Sequence, residues 1–390
     1  MPEDHSHTRS IDTNVIHAGA PRPRVEGAVI TPIFQSANYL MRDEANYDSV
    51  RYIRLNNSPN HTTLHARLAS IEGGEAALVT ASGMAAITTS LLAFVGSGDH
   101  VLAQRALYGG TTSFLAEEAP RLGISHSEID TTDPGGTEAW ERQLRPETRV
   151  VMVEGISNPL MEVGDLRAVA RFARSHGLIS IIDNTFASPV NLRPLEHGID
   201  IVVHSATKYL NGHSDLVAGA IISTSTRVER ILHLLNHSGG SLDPHACFLF
   251  ERGLKTLALR VRRQNDSALE IARFLESRDE VRRVNYPGLE SSPHHEVATD
   301  LLDGFGGMIS FYLSDAEMAE RFLGRLTIPI HAASLGGVET LVVRPSRSSH
   351  LGLPVQERER LGITDDLIRL SVGIEDADEL IADLAQALAP

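Results

Sequence analysis

Short apolar runs separated by amphipathic segments fill the first two thirds of the chain. Helix-compatible segments lie between most of the runs, which are found at residues 76–81, 100–103, 150–153, 178–182 and 201–203. Runs of this length are typical of strands buried on both faces, and their alternation with helices is typical of parallel sheets. The pattern therefore predicts an α/β fold whose mainly parallel sheet is covered by helices on both faces.

The two ends of the chain have a different pattern. The first sixty residues are rich in Pro, Asn and Arg and lack sustained periodicity, which indicates an extended arm that can reach a neighbouring chain. Beyond about residue 250 the segments become longer Arg-rich amphipathic helices, as at 264–276, and strands, as at 308–313. We predict an arm over residues 1–60, a large domain over 61–250 and a smaller C-terminal α+β domain over 251–390.

Composition and charge indicate a globular protein and disfavour some kinds of binding partner. The chain has 390 residues, of which 42% are hydrophobic and 22% charged, values typical of a globular enzyme of two or three domains. The formal net charge of -15 disfavours nucleic acid and anionic lipid as partners. Residues 1–7 show no basic and apolar leader, and no apolar run approaches the roughly twenty residues that span a bilayer, so we expect a cytoplasmic protein without membrane contact.

Lysine is almost absent from the sequence. Only Lys208 and Lys255 occur among the 35 basic residues, and all the others are arginine. A guanidinium stays protonated, whereas a desolvated lysine can lose its proton and form a Schiff base with a carbonyl. The two lysines are therefore candidates for amine chemistry.

Polar residues follow several of the predicted strands, at the edge where parallel sheets bind ligands. Asp183 follows the run at 178–182, Glu154 and Asn158 follow the run at 150–153, and the small residues Ser82, Gly83 and Met84 open a helix after the first run. Ser205, Thr207 and Lys208 follow the run at 201–203. A phosphate cradle, a buried acid and an amine on one sheet edge predict pyridoxal 5'-phosphate as the cofactor.

Other chemistries have weaker support. No Gly-rich dinucleotide motif or Walker loop follows a predicted strand. His61 and His65 are four residues apart but lack the Glu of metalloprotease motifs, so we expect no metal site. Lys255 stands in a helical context that favours an ion pair or packing. Cys247, the only cysteine, excludes an intramolecular disulfide and is interpreted as a buried small side chain.

Several ordered motifs also resemble one family, the pyridoxal-phosphate-dependent enzymes of Cys/Met metabolism, which include cystathionine γ-synthases, cystathionine lyases, methionine γ-lyases and homoserine sulfhydrylases. The resemblance covers nearly the whole chain. Its marks include Tyr52-Ile53-Arg54, Ala81-Ser82-Gly83-Met84, Leu107-Tyr108-Gly109-Gly110, Asp183-Asn184-Thr185-Phe186, Ser205-Ala206-Thr207-Lys208-Tyr209, Ser334-Leu335-Gly336-Gly337 and Arg369-Leu370-Ser371-Val372-Gly373. The resemblance implies an aspartate-aminotransferase-like large domain and a homotetramer built as a dimer of dimers, with active sites shared between subunits.

The resemblance also implies roles for individual residues. Lys208 would form the covalent link to the cofactor and move protons, Asp183 would pair with the ring nitrogen, and Tyr108 would stack on the ring and act as acid and base toward the leaving group. The cofactor phosphate would be bound by Gly83, Met84, Ser205 and Thr207, together with Tyr52 and Arg54 of the adjacent subunit. Asn158 would contact a cofactor oxygen and the substrate. The substrate carboxylate would be bound by Ser334 and Arg369.

The reaction that the resemblance favours is γ-elimination from a γ-substituted amino acid such as methionine, cystathionine or an O-substituted homoserine, giving 2-oxobutanoate and ammonia. Replacement at Cγ by a thiol and β-elimination giving pyruvate remain open. The chain departs from the family pattern in placing Ala333 where many members have Glu, Gly110 where methionine γ-lyases have Cys, and a basic segment at 344–350. We expect these positions to shape the pocket.

Overall fold

Two β-sheets organise the protein. The structure is a computed structural model that describes residues 9–132 and 136–389, so the polar segment at 1–7 lies outside the described residues. Its strands are β1 Ala76–Thr80, β2 His100–Gln104, β3 Ser125–Ile129, β4 Thr148–Glu154, β5 Ile179–Asp183, β6 Ile201–Ser205, β7 Gly219–Ser223, β8 Val281–Asn285, β9 Met308–Leu313, β10 Ile330–His331, β11 Leu341–Val343 and β12 Leu367–Ser371.

The α-helices surround these sheets. They are α1 Ile11–His17, α2 Pro59–Glu72, α3 Gly83–Leu92, α4 Gly109–Ser113, α5 Thr137–Glu141, α6 Leu166–Ser175, α7 Ser188–Asn191, α8 Ser225–Ser238, α9 Pro244–Leu254, α10 Leu257–Glu276, α11 His295–Leu301, α12 Ala316–Arg325, α13 Val355–Arg360 and α14 Ala377–Leu388. In the part of the chain that the structure describes, none of these helices has the length and apolar character needed to cross a membrane.

The large sheet has the order β1-β7-β6-β5-β4-β2-β3. All its pairings are parallel except those of β7, which runs antiparallel to both β1 and β6. Side chains alternate between its two faces, so that Ile181 and Ile182 enter different hydrophobic clusters. The predicted α/β class with a mainly parallel sheet covered on both faces is confirmed.

The second sheet is smaller and has the order β10-β11-β12-β9-β8, with antiparallel pairing except between β10 and β11. A separate core forms between this sheet and α10, α12 and α14, around side chains such as Phe311, Phe322 and Leu384. The chain passes from the last strand of the large sheet to the first strand of the small one through α8, α9 and the long α10. The domain limits near residues 60 and 250 stay predictions.

Helix starts are well specified by local sequence. Ser58 caps α2 by accepting a hydrogen bond from the His61 amide at 3.4 Å, and Pro59 takes the first helical position. Ser82 caps α3 in the same way, accepting from the Ala85 amide at 3.1 Å. The cap at Ser82 fixes the first turn of α3 at the edge of the large sheet, which is where the candidate site lies.

Candidate active site

One cavity of about 470 Å³ lies where β4, β5 and β6 end and the small sheet approaches the large one. It brings together all the predicted site residues except Tyr52 and Arg54, namely Gly83, Met84, Tyr108, Asn158, Asp183, Ser205, Thr207, Lys208, Ser334 and Arg369. Side chains from distant parts of the sequence thus meet in a single space. The roles of these residues stay predictions, but their proximity is an observation.

The first turn of α3 forms one wall of the cavity. A Cβ atom at Gly83 would lie 2.7 Å from the Cβ of Ser205, so only glycine allows this close approach of α3 to β6. The first amide groups of a helix have no partner within the helix and attract anions. Together with the Ser205 hydroxyl they form a donor set that fits the dianionic phosphate of pyridoxal 5'-phosphate. The Thr207 hydroxyl donates to the Ala218 carbonyl oxygen at 3.2 Å and would join this set by rotating.

Asp183 lies across the cavity at the end of β5. Its Oδ1 accepts hydrogen bonds from the Thr185 amide at 3.0 Å and from the Thr185 hydroxyl. Burial raises the pKa of Asp183, while the hydrogen bonds from Thr185 oppose that rise. A carboxylate buried in this way is stabilised by a positive partner, and the protonated ring nitrogen of pyridoxal 5'-phosphate is one.

Lys208 lies in the turn after β6 and lines the cavity. Its Nζ donates a hydrogen bond to the Ser334 hydroxyl at 2.7 Å. Burial, and then the positive charge of Arg369, lower the pKa of Lys208 from 10.5 to about 8. Ser334 itself has a backbone φ of +105°, a strained conformation of the kind that occurs at functional sites.

Arg369 is buried on β12 and reaches the cavity from the small sheet. Its guanidinium donates to Asn158 Oδ1 at 2.9 Å and to the carbonyl oxygen of Ser334 at 3.3 Å. Both acceptors are neutral oxygens, so these contacts do not neutralise the charge, and burial lowers the pKa of Arg369 to about 10. The planar guanidinium suits a carboxylate ligand.

Tyr108 stands at the mouth of the cavity, just before α4, with 39% of its surface exposed. A Cβ atom at Gly110 would lie 2.6 Å from Cε1 of Tyr108 and 3.0 Å from Sδ of Met84. The tyrosine ring therefore lies against Gly110, and a cysteine at this position would require the ring or the Met84 side chain to move.

Tyr52 and Arg54 do not reach the cavity of their own chain. The Arg54 guanidinium donates to the Tyr47 hydroxyl at 2.5 Å and to the carbonyl oxygen of Asn236 at 2.6 Å, and Tyr52 is exposed. The prediction that they serve an adjacent subunit stays a prediction. Their separation from this chain's cavity is compatible with it.

Several cavity residues were absent from the predicted set. They include Glu154, Thr185, Phe186, Val217, Ser348 and Ser349. The sequence singled out Glu154 as a polar residue after a predicted strand but gave it no role, and Thr185 stands just beyond the end of β5, a signal that could have identified it. From the basic segment at 344–350 it is the two serines that line the cavity, whereas Arg344 is buried and forms an ion pair with Glu320 at 2.9 Å.

The histidines, the cysteine and the second lysine lie elsewhere. His61 Nε2 is 2.8 Å from the Leu242 carbonyl oxygen, and His65 Nε2 accepts from the Val79 amide at 3.1 Å, so both rings are engaged by the protein. Cys247 is buried, and burial raises the pKa of its thiol. Burial lowers the pKa of Lys255, which lies outside the residues that line the cavity.

The lowered pKa of Lys208 gives a testable pH dependence. We expect the rate at which the apoprotein takes up pyridoxal 5'-phosphate, followed by visible absorbance, to rise with pH and to level off above about 8. Arg369→Ala removes a like charge and should move this plateau to higher pH. A rate that keeps rising toward the ordinary lysine value of 10.5 in the wild type would contradict the proposed environment.

Comparison with known proteins agrees with this geometry. Residues 12–389 match the model of the Cys/Met metabolism PLP-dependent enzyme family. The chain is 42% identical to a cystathionine γ-lyase of Bacillus subtilis, covering 96% of this chain and 98% of the relative, and 40% identical to a cystathionine β-lyase of Coxiella burnetii, covering 100% of both.

The fold has close counterparts among solved structures. The structure of cystathionine γ-lyase from Lactobacillus plantarum complexed with L-serine is 36% identical in sequence, with a TM-score of 0.91 and coverage of 97% of this chain and 98% of that one. The predicted aspartate-aminotransferase-like fold, the cofactor and the family resemblance are thereby confirmed. The protein belongs to the family of pyridoxal-phosphate-dependent enzymes of cysteine and methionine metabolism.

Proposed function

We propose that the protein is a carbon–sulfur or carbon–heteroatom lyase that performs γ-elimination on a γ-substituted L-amino acid. One water molecule is consumed, and the products are 2-oxobutanoate, ammonia and the protonated leaving group. The observation that carries the proposal is the Lys208 amine, held 2.7 Å from the Ser334 hydroxyl and beside the charge of Arg369. A lysine with a pKa of about 8 exchanges protons readily near neutral pH.

Each group in the cavity has a distinct part in this proposal. Gly83, Met84, Ser205, Thr207 and Asp183 would hold pyridoxal 5'-phosphate, and the bound cofactor would supply an aldehyde for the substrate amine and an electron-withdrawing ring. Arg369 would bind the substrate carboxylate, assisted by Ser334. The Lys208 amine would accept the Cα proton, pass it on to the bound cofactor and, neutral again, accept a Cβ proton. The Tyr108 hydroxyl would donate a proton to the leaving group at Cγ.

Two related reactions compete with this proposal. The Coxiella burnetii relative is a cystathionine β-lyase, and a relative from Arabidopsis thaliana, 38% identical over 98% of this chain, is a cystathionine γ-synthase. A panel of cystathionine, methionine, O-acylhomoserines, homocysteine and canavanine, scored for 2-oxobutanoate and pyruvate with and without added thiol, separates the three. Release of 2-oxobutanoate without thiol supports γ-elimination; dependence on thiol would indicate a synthase.

The arm residues provide a test of shared active sites. If Tyr52 and Arg54 bind the phosphate of an adjacent subunit, Arg54→Ala and Lys208→Ala proteins should each be inactive at limiting cofactor. Random mixing of the two should restore about a quarter of the wild-type activity, because half the dimers are mixed and each mixed dimer holds one intact site. Mixed dimers demonstrated by mass spectrometry but lacking activity would contradict shared sites.

Ala333 gives a prediction about substrate choice. It lines the cavity next to Ser334, where a glutamate would attract the distal ammonium of cystathionine. We expect the wild type to show little dependence on that ammonium and to prefer methionine or an O-substituted homoserine. Ala333→Glu should raise the kcat/KM ratio of cystathionine to methionine by roughly fivefold to a hundredfold, since a partly buried charge pair contributes about 1 to 3 kcal/mol.

The control for this comparison is Ala333→Gln, which adds similar volume without charge. A wild type that already favours cystathionine strongly, and a Glu variant that leaves the ratio unchanged, would contradict the proposed role of Ala333. Specificity would then reside in other groups, such as the Asp215 and Glu339 carboxylates of the adjoining cavity that Ala333 and Ser334 also line.

A further inference from the structure

We propose that Glu154 is a positioning residue that fixes both the proton-donating tyrosine and the carboxylate-binding arginine of the active site. The proposal rests on the proposed function for the roles of Tyr108 and Arg369. It adds a residue that acts on both of them through the backbone.

Glu154 is the last residue of β4 and lies at the floor of the cavity. Only 8% of its surface is exposed, and its own amide donates to Gln104 Oε1 at 2.9 Å. Gln104 ends β2, the neighbouring parallel strand, and Glu154 stands in register with Asp183 at the end of β5. The backbone that carries the Glu154 carboxylate is therefore held on both sides by the centre of the large sheet.

The two carboxylate oxygens contact two different loops. Oε1 accepts a hydrogen bond from the Tyr108 amide at 2.5 Å, and Oε2 accepts one from the Asn158 amide at 3.1 Å. The first loop leads from β2 into α4 and the second follows β4. Amide hydrogen bonds to an ionised carboxylate are among the stronger ones in proteins, so one side chain joins two loops that line opposite parts of the cavity.

Further hydrogen bonds connect Asn158 to the substrate end of the site. Asn158 Oδ1 accepts from Arg369, and Arg369 also donates to the carbonyl oxygen of Ser334. The Ser334 hydroxyl accepts from Lys208 Nζ. A displacement of the Asn158 backbone would therefore change the position of Arg369, whereas a displacement of the Tyr108 backbone would change the position of the phenol.

A carboxylate is required for this arrangement. Glutamine has the same shape, but its amide offers one acceptor oxygen and turns an NH₂ group toward the second backbone N–H, so one contact becomes repulsive. Keeping an acid here is costly, because burial and the nearby charge of Asp183 raise the pKa of Glu154. The hydrogen bonds from the Tyr108 and Asn158 amides oppose that rise in pKa without cancelling it. Because both carboxylate oxygens act as acceptors, the geometry is that of the ionised form.

The test compares Glu154→Gln with Glu162→Gln. Glu162 is also a well-covered carboxylate on the segment after β4, but it faces Arg105 at 3.9 Å and does not line the cavity. Hydrogen–deuterium exchange is measured on the apoprotein and on the cofactor-loaded protein, for peptides that cover Tyr108 and Asn158. In the wild type these amides should be protected, and Glu154→Gln should speed the exchange of one or both by about tenfold or more.

Steady-state kinetics supply the second measurement. Glu154→Gln should lower kcat and raise KM, reducing kcat/KM by about a hundredfold, because displacements of about 1 Å have effects of that size. Saturating cofactor should restore its visible absorbance but not its kcat/KM, and Glu162→Gln should resemble wild type in kcat and KM. Glu154→Asp, one methylene too short to reach both amides, should repeat the defect with the charge retained.

Distinct results would overturn the inference. Rapid exchange of the Tyr108 and Asn158 amides in the wild type would contradict the hydrogen bonds to Glu154, and this measurement needs no folded variant. If Glu154→Gln loses cofactor binding while its amide exchange is unchanged, Glu154 is a cofactor ligand and not a positioning residue. If its kcat and KM are unchanged, Glu154 has no role in the reaction. If the wild type fails to turn over the substrate panel while the exchange results hold, the proposed function fails and the positioning contacts stand.

Discussion

Lys208→Ala is expected to lower kcat/KM by about a thousandfold or more. The variant loses both the amine that would link to the cofactor and the base that would accept protons from the substrate. It also leaves the Ser334 hydroxyl without its donor at 2.7 Å. Ketoacid release from the preferred substrate is the measurement, with cofactor supplied in excess.

The sequence offers a matched control in its only other lysine. Lys255→Ala should retain turnover and visible absorbance, since Lys255 does not line the cavity. Borohydride reduction of the wild-type holoenzyme, followed by peptide mass spectrometry, should find the cofactor attached to Lys208 alone. Attachment to Lys255, or near-normal turnover by Lys208→Ala, would disprove the assignment of Lys208.

Arg369→Ala should lower kcat/KM by about a hundredfold to several thousandfold, mainly through KM. The reason is that removing one partner of a buried, hydrogen-bonded charge pair costs about 3 to 5 kcal/mol. Arg369→Lys keeps the positive charge, but an ammonium cannot donate two parallel hydrogen bonds to a carboxylate as a guanidinium does. The decrease in kcat/KM should therefore be intermediate. The measurement is the initial rate over a range of substrate concentrations wide enough to define KM.

Arg344→Lys serves as the control for arginine substitution in the small domain. Arg344 is also buried, but it pairs with Glu320 and does not line the cavity, so its replacement should affect thermal stability more than KM. An unchanged KM in Arg369→Ala would assign the substrate carboxylate to another group. Thermal unfolding of each variant separates a binding defect from a loss of folded protein.

The central strands could be predicted because burial on both faces leaves a continuous apolar run. Strands β4, β5 and β6 are almost wholly buried and match the predicted runs to within a few residues. Two of the edge strands, β3 and β8, gave no such signal. In β3 the sequence Ser-His-Ser-Glu-Ile is largely exposed, and in β8 two arginines face solvent, so neither resembles a buried strand.

The site residues also differ in how far the sequence alone predicts them. Asp183, Ser205 and Lys208 follow predicted strands, and the geometry of a parallel sheet brings strand ends together, so their proximity could be argued from the residues. Ser334 lies in the loop between β10 and β11 and Arg369 lies on β12, so both reach the cavity only because the small sheet packs near the large one. No local pattern predicts that packing, and these two residues were identified through family resemblance.

The positioning role proposed for Glu154 could not be predicted from the sequence. The sequence indicates a polar residue at a strand end, but its contacts join the Tyr108 amide, 46 positions earlier, with the Asn158 amide. A contact that spans such a separation depends on the order of strands β2 and β4 in the sheet. That order becomes known only from the structure.

The products formed from cystathionine without added thiol test the central claim most directly, since both bonds to sulfur are available in one molecule. Cleavage at Cγ gives 2-oxobutanoate, ammonia and cysteine, whereas cleavage at Cβ gives pyruvate, ammonia and homocysteine. We predict 2-oxobutanoate and cysteine in equal amounts with the wild type and neither with Lys208→Ala. Pyruvate and homocysteine as the main products, or no ketoacid until a thiol is supplied, would contradict the proposed γ-elimination.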